Sequence, residues 1–183
     1  MTFHVNGERQ VWEGQRIAVA ILGVKGPDGA VYEREVVHHP GAVGMVPLHD
    51  DGTVTLVRQY RAPLDAELWE IPAGLRDVAG EPTELTAQRE LAEEVGLRAG
   101  QLEHLITFHN SPGFSDEAVV IYLATDLHEV PDDRQSVEEQ HMVVERIPLA
   151  DARAMVADGR ITDAKTICTL LFVHAFVVAN ARP

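Results

Sequence analysis

Residues 82–96 read PTELTAQRELAEEVG, a helix carrying its own start and stop signals and set among strands on both sides. Pro82 loses nothing at a first helical position, where its missing N–H would be unpaired anyway. Gly96 suits the left-handed conformation that ends a helix. Ala87, Leu91 and Val95 share one helix face and predict burial against a sheet. Upstream, RIAVAILGVKG and AVYEREVVHH flank the turn PDGA, and AVGMVPLH and TVTLVRQYR flank DDG, so two hairpins are predicted, then a short strand in ELWEIPAG. Downstream, QLEHLITFH, AVVIYLATDL and HMVVERIPL read as strands, separated by the loops SPGFSDE and HEVPDDRQSVEEQ. Helices over 150–158 and 163–180 close the chain. Strands, one helix, strands and then helices exclude a regular βαβ series and give a mixed α/β layered domain.

With 183 residues the chain suffices for one sizeable domain or a domain plus a small appendage. Acidic residues outnumber basic ones 29 to 15, the wrong balance for a nucleic-acid partner. The same charge makes an anionic substrate awkward unless cations or placed arginines offset it. The single cysteine, Cys168, excludes an intramolecular disulfide and sits in an apolar run that predicts a buried thiol. The apolar stretch 166–179 is too short to span a bilayer. The first residues lack a signal-peptide pattern, so a cytoplasmic protein without a membrane partner is expected. The nine histidines show no zinc-like spacing and read as structural or surface residues.

The helix has a second face, on which Glu90, Glu93 and Glu94 fall together. Like charges at i,i+4 cost roughly a few tenths of a kcal/mol when nothing positive is near. Carboxylate oxygens are also the hard ligands that Mg²⁺ or Mn²⁺ prefers. Read from residue 74, the sequence GLRDVAGEPTELTAQRELAEEVGL resembles the Nudix box, in which a glycine, five residues, a glutamate and seven residues precede R-E-aliphatic-x-E-E-x-G-aliphatic. Glu81, Arg89, Glu90, Leu91, Glu93, Glu94, Gly96 and Leu97 stand at the family's spacing. One departure is that six residues, not five, separate Gly74 from Glu81, in the loop before the helix, where insertions leave the helix register intact.

The resemblance implies a Nudix hydrolase: an α/β (α+β) fold with a mixed β-sheet sandwiched between helices and a small N-terminal β domain. It divides the chain into residues 1–40, an N-terminal β-hairpin domain for dimerisation and the adenine side of the site, and residues 41–183, the hydrolase domain. It makes Glu90, Glu93 and Glu94, with the carbonyl of Ala73, the ligands of Mg²⁺ (or Mn²⁺). Gly74, Glu81, Arg89 and Gly96 become structural members of the box, with Arg89 pairing Glu81 and Glu93.

Three features outside the box resemble the ADP-ribose pyrophosphatase branch. Pro112, in NSPGFSDE, lies fifteen residues after Leu97. VRQYRAP with LWEIPAGL aligns Arg61, and beside it Arg58 and Glu70, with positions around the substrate. The loop SVEEQ offers Glu138 or Glu139 as the catalytic base, with Glu93 the further catalytic carboxylate. Tyr32, Trp12 and Arg16 are the candidates for the adenine face. The resemblance therefore implies a homodimer with a swapped N-terminal domain, acting on a nucleoside diphosphate sugar and cleaving ADP-ribose to AMP and ribose 5-phosphate. Other Nudix substrates (ADP-glucose, ADP-mannose, NADH or a dinucleoside polyphosphate) and a non-catalytic ligand sensor are the alternatives.

Overall fold

A computed structural model describes residues 2–134 and 136–178. Three strands come first, β1 (His4–Glu13), β2 (Ala18–Lys25) and β3 (Val31–His38), forming an antiparallel sheet in that order. The PDGA turn joins β2 to β3 as predicted, pairing Lys25 with Val31. All ten residues of β1 are exposed, including the apolar Val5, Val11 and Trp12.

The rest of the described chain builds two further sheets. β4 (Ala42–Pro47), β7 (Ala73–Leu75), β8 (Leu97–His109) and β9 (Ala118–Glu129) form a mixed sheet of order β7-β4-β9-β8, in which β4 and β9 run parallel. β5 (Thr53–Arg61), β6 (Ala66–Glu70) and β10 (Val143–Pro148) form an antiparallel sheet of order β10-β5-β6. The helices are α1 (Thr83–Val95), α2 (Val137–Gln140), α3 (Leu149–Ala157) and α4 (Ala164–Phe172), the last continuing as a π-helical turn over Val173–Val178. No helix among the described residues is long and apolar enough to cross a membrane.

The mixed sheet is apolar on both faces, and its pleat sorts the side chains between them. Val43, Met45, Tyr122 and Ala124 meet Ala87 and Leu91 of α1 on one face. Val46, Val119, Ile121 and Leu123 meet Val54 and Leu56 of β5 and the apolar faces of α3 and α4 on the other. The sheet is thereby sandwiched between helices, and α1 lies over it with the predicted face buried.

Four local expectations need correction. The second predicted hairpin does not form a strand pair: β4 and β5 belong to different sheets, and their backbones pair only at the isolated bridge Leu48–Val54, just past the end of β4. Both strands are buried along nearly their whole length, so each needs two covered faces that one hairpin could not supply. Pro82 is the residue before the helix, extended at ψ 141°, and Thr83 is the first helical residue. The polar loop before β10 contains the one-turn helix α2, held by a capping box between Ser136 and Glu139. Cys168 is exposed, because Thr166, Thr169, Leu170 and Val173 occupy the buried face of α4 and the thiol falls opposite. The predicted end of the last helix, at 179–180, lies outside the described residues.

Candidate active site

The turn from β6 into β7, residues 70–73, is tied to four other elements. Glu70 is 1% exposed and accepts two hydrogen bonds from Arg61, from Nε and Nη2, both at 2.6 Å. Its Oε2 also pairs with Lys165 of α4. The Ile71 N–H donates to Thr166 Oγ1 at 2.8 Å. The Pro72 carbonyl accepts from the Met45 N–H, and the Ala73 N–H donates to Glu94 Oε2 at 2.9 Å. The backbone before the box is thus stitched to α4, β4 and α1 in three consecutive residues, 71–73.

On α1, Arg89 lies among carboxylates, at 2.7 Å from Glu90, 3.3 Å from Glu93, 3.3 Å from Glu81 and 3.6 Å from Asp77. The Glu90 side chain packs directly on the backbone of β7. A Cβ on Gly74 would stand 1.9 Å from the Glu90 carboxyl carbon, so only glycine admits this approach. Gly96 ends the helix at φ 64°, its N–H returning to the Ala92 and Leu91 carbonyls.

Burial dominates the charge state of this cluster. It pushes the Glu94 carboxyl up to about 8, with Glu90 and Glu139 adding repulsion and Arg61 opposing it. It pushes Glu90 up to about 7, with Arg89 opposing and Glu93 reinforcing the shift. Among the described residues no three acidic, histidine or cysteine side chains converge as a ready-made metal cage. Arg89 draws Glu90 and Glu93 aside while Glu94 rests on the Ala73 N–H. The donor set nonetheless fits a hard divalent cation. It offers desolvated, mutually repelling carboxylates whose proton affinity falls when a cation arrives, and Mg²⁺ habitually takes only part of its shell from protein.

The remaining predicted residues divide. Arg61 reaches the cluster, since its charge and that of Glu94 act on each other. Arg58 does not: three residues away on the same strand, it projects to the other face, pairing Glu67 at 2.5 Å and lying 5.7 Å from the Trp69 ring centre. Glu70, read from sequence as lining the pocket, is buried behind Arg61 with both oxygens occupied. Of the two loop glutamates, Glu138 is exposed, whereas Glu139 is half-buried in α2 and its charge is felt at Glu94.

Pro112 is exposed in a turn that docks on β3, where Val37 N–H donates to the Phe114 carbonyl at 2.7 Å. Asp116 of the same loop accepts from His38 Nδ1 at 2.6 Å and from the His39 N–H at 2.9 Å. Tyr32 lies under the Arg34 guanidinium, 4.4 Å from its ring centre, and edge-on to Phe3. Trp12 is 53% exposed and Arg16 is exposed, both on the N-terminal sheet or its first turn.

A family model described as the NUDIX domain matches residues 38–170. The chain belongs to the Nudix family. It is 46% identical over 160 residues to the ADP-ribose pyrophosphatase of Mycobacterium tuberculosis, covering 87% of this chain and 77% of that one. It is 37% identical over 167 residues to the ADP-ribose pyrophosphatase of Bacillus subtilis, covering 91% and 90%. A solved structure described as an ADP compounds hydrolase superposes with a TM-score of 0.85 at 23% identity, over 100% of this chain and 98% of that one, which shows the shared Nudix fold.

Sequence reasoning missed the α4 residues that pack behind the candidate site, namely Lys165, Asp163 and Thr166. A signal was present: DAKT places an Asp cap and a lone lysine at the head of an apolar helix, where an unpaired charge would be costly.

Proposed function

We propose that this Nudix chain hydrolyses the diphosphate of ADP-ribose to AMP and ribose 5-phosphate with Mg²⁺ or Mn²⁺ bound at Glu90, Glu93, Glu94 and the Ala73 carbonyl. One observation carries the chemistry: two α1 carboxylates, Glu90 and Glu94, pushed up to about 7 and about 8 chiefly by burial, pack on β7 at Gly74 and the Ala73 N–H, beside Arg61. The substrate follows from the two ADP-ribose pyrophosphatases to which the chain is 46% and 37% identical.

Bound cations would neutralise the diphosphate oxygens and polarise the attacked phosphorus. Arg61 offers Nη1 to a phosphate oxygen, its Nε and Nη2 being used by Glu70. Glu139 takes the proton of the attacking water, which forms the new P–O bond as the anhydride P–O bond breaks and a phosphate oxygen leaves. Its place rests on the capping box with Ser136, which holds α2 and the Glu139 carboxylate together. Glu93, tied to Arg89, completes the acidic set. Purified protein is expected to release AMP from ADP-ribose only with a divalent cation. Failure to do so, with turnover of another nucleotide sugar in the same panel, would move the substrate and keep the chemistry.

We propose in addition that residues 1–40 form a dimerising domain and that the partner's copy encloses the adenine. The support is β1, exposed from end to end with Val5, Val11 and Trp12 facing outward, together with the Arg34–Tyr32 stack that offers a flat face to a purine.

A further inference from the structure

Lys165 is a lysine one would not expect where it is. Its side chain is 11% exposed, at the head of a helix that otherwise buries Thr166, Thr169 and Leu170. It pairs with the 1% exposed Glu70 and lies 3.1 Å from Asp163, whose Oδ2 also caps the helix by accepting from the Thr166 N–H and Oγ1. Nothing in the chemistry above uses it.

Its geometry has a direction. Glu70 lies between Lys165 behind and Arg61 in front, and Arg61 is 41% exposed. The carboxylate meets Arg61 through Nε and Nη2, which fixes the guanidinium plane, and Nη1 has no partner among the described residues. Lys165 restrains Glu70 from rotating and also balances charge. Glu70 and Asp163 are two negatives, and Arg61 and Lys165 are two positives. Without Lys165 the group would carry a net negative charge where an anionic substrate must approach.

We propose that Lys165 is a positioning residue: from α4 it pins Glu70, and through Glu70 it holds Arg61 turned toward the α1 carboxylates to receive the diphosphate. This rests on the reading of Arg61 as a phosphate contact, and the two are separable. In metal-free protein the Arg61 Nε–H signal in ¹⁵N spectra, assigned by its loss in Arg61→Ala, is expected to be sharp, and Lys165→Met to broaden or shift it. In kinetics with ADP-ribose and Mg²⁺, Lys165→Met is expected to raise KM roughly tenfold with kcat within about twofold. Lys165→Arg is expected to keep KM within about threefold, and Lys165→Met to add nothing in an Arg61→Ala background.

An unchanged Arg61 signal in Lys165→Met overturns the inference. So does an equal rise in KM whether or not Arg61 is present. If the signal changes but Arg61→Ala leaves KM as in wild type, the phosphate role of Arg61 fails, and the inference with it. Should Lys165→Met not fold, Glu70→Gln carries the same test, since it removes the anchor that Lys165 pins. A Glu70→Gln KM equal to that of wild type overturns the inference.

Discussion

Glu94 shows what a single residue can hold in tension. Its folded proton affinity is raised, so the fold keeps a proton that the unfolded chain releases. That contribution to stability is complete below about 4.5 and is lost as pH rises through about 8, with Glu90 adding the same trend up to about 7. Metal-free protein is therefore expected to melt at progressively lower temperature as pH rises from about 4.5 to about 8, with no further loss from these two groups above that. Mg²⁺ is expected to raise the melting temperature more at about pH 8.5 than at about pH 6, because protons compete with the cation. Glu94→Gln removes the buried charge and should raise the metal-free melting temperature at alkaline pH. The same change should lower turnover roughly 10³-fold, a trade typical of functional carboxylates. Gly74→Ala tests the close approach. Its Cβ would stand 1.9 Å from the Glu90 carboxyl carbon, so Glu90 must move, with a loss on the order of 10²-fold in kcat and a preserved circular-dichroism spectrum. The acidic residues of this site were legible in sequence because helical spacing places them on one face. The pairing of Lys165 was not, because DAKT marks a lysine in need of a partner but cannot say that the partner lies 95 residues away.

Elements were legible where their signals are local. Proline before α1, glycine after it and the apolar stripe along it set that helix within a residue. The β4–β5 hairpin was misread because DDG is a sound turn signal but cannot say whether two strands stay in one sheet. Burial of both strands decided that, and burial is a property of the whole layer. The helix α2 was legible in S-x-x-E but short enough to pass for loop. Where β3 meets the Pro112 loop, His38 stands between Asp116 at 2.6 Å and Glu8 of β1 at 3.3 Å. A carboxylate oxygen faces each ring nitrogen, and the proton affinity of the ring is raised, first by the Asp116 hydrogen bond. The stabilisation is full below the ordinary value of 6.5 and fades as pH rises through the raised one. His38→Gln should therefore lower the melting temperature at about pH 6 and have little effect at about pH 9. Equal effects at both values would mean that the ring serves only by packing.

At the scale of the whole molecule, the N-terminal sheet leaves β1 exposed along its length, with Val5, Val11 and Trp12 uncovered among the described residues. A second copy covering it is expected to give a dimer by sedimentation at micromolar concentration, and Trp12→Glu is expected to shift it toward monomer. Since the proposed metal carboxylates lie on α1 and Tyr32 on β3, the monomer should lose affinity for the adenosine part of the substrate more than it loses turnover.

The bond from Lys165 back to Glu70 also has a bearing on synthesis. A ribosome delivers the chain from its N-terminus, so strands β1 to β10 and the acidic helix α1 emerge before α4 does. Until residue 165 leaves the exit tunnel, Glu70 is an acid at the edge of an unfinished core with only Arg61 to answer it. A nascent chain stalled short of α4 should therefore hold its box helix without a settled Arg61, and competence should arrive late and abruptly, with the last helix to be made.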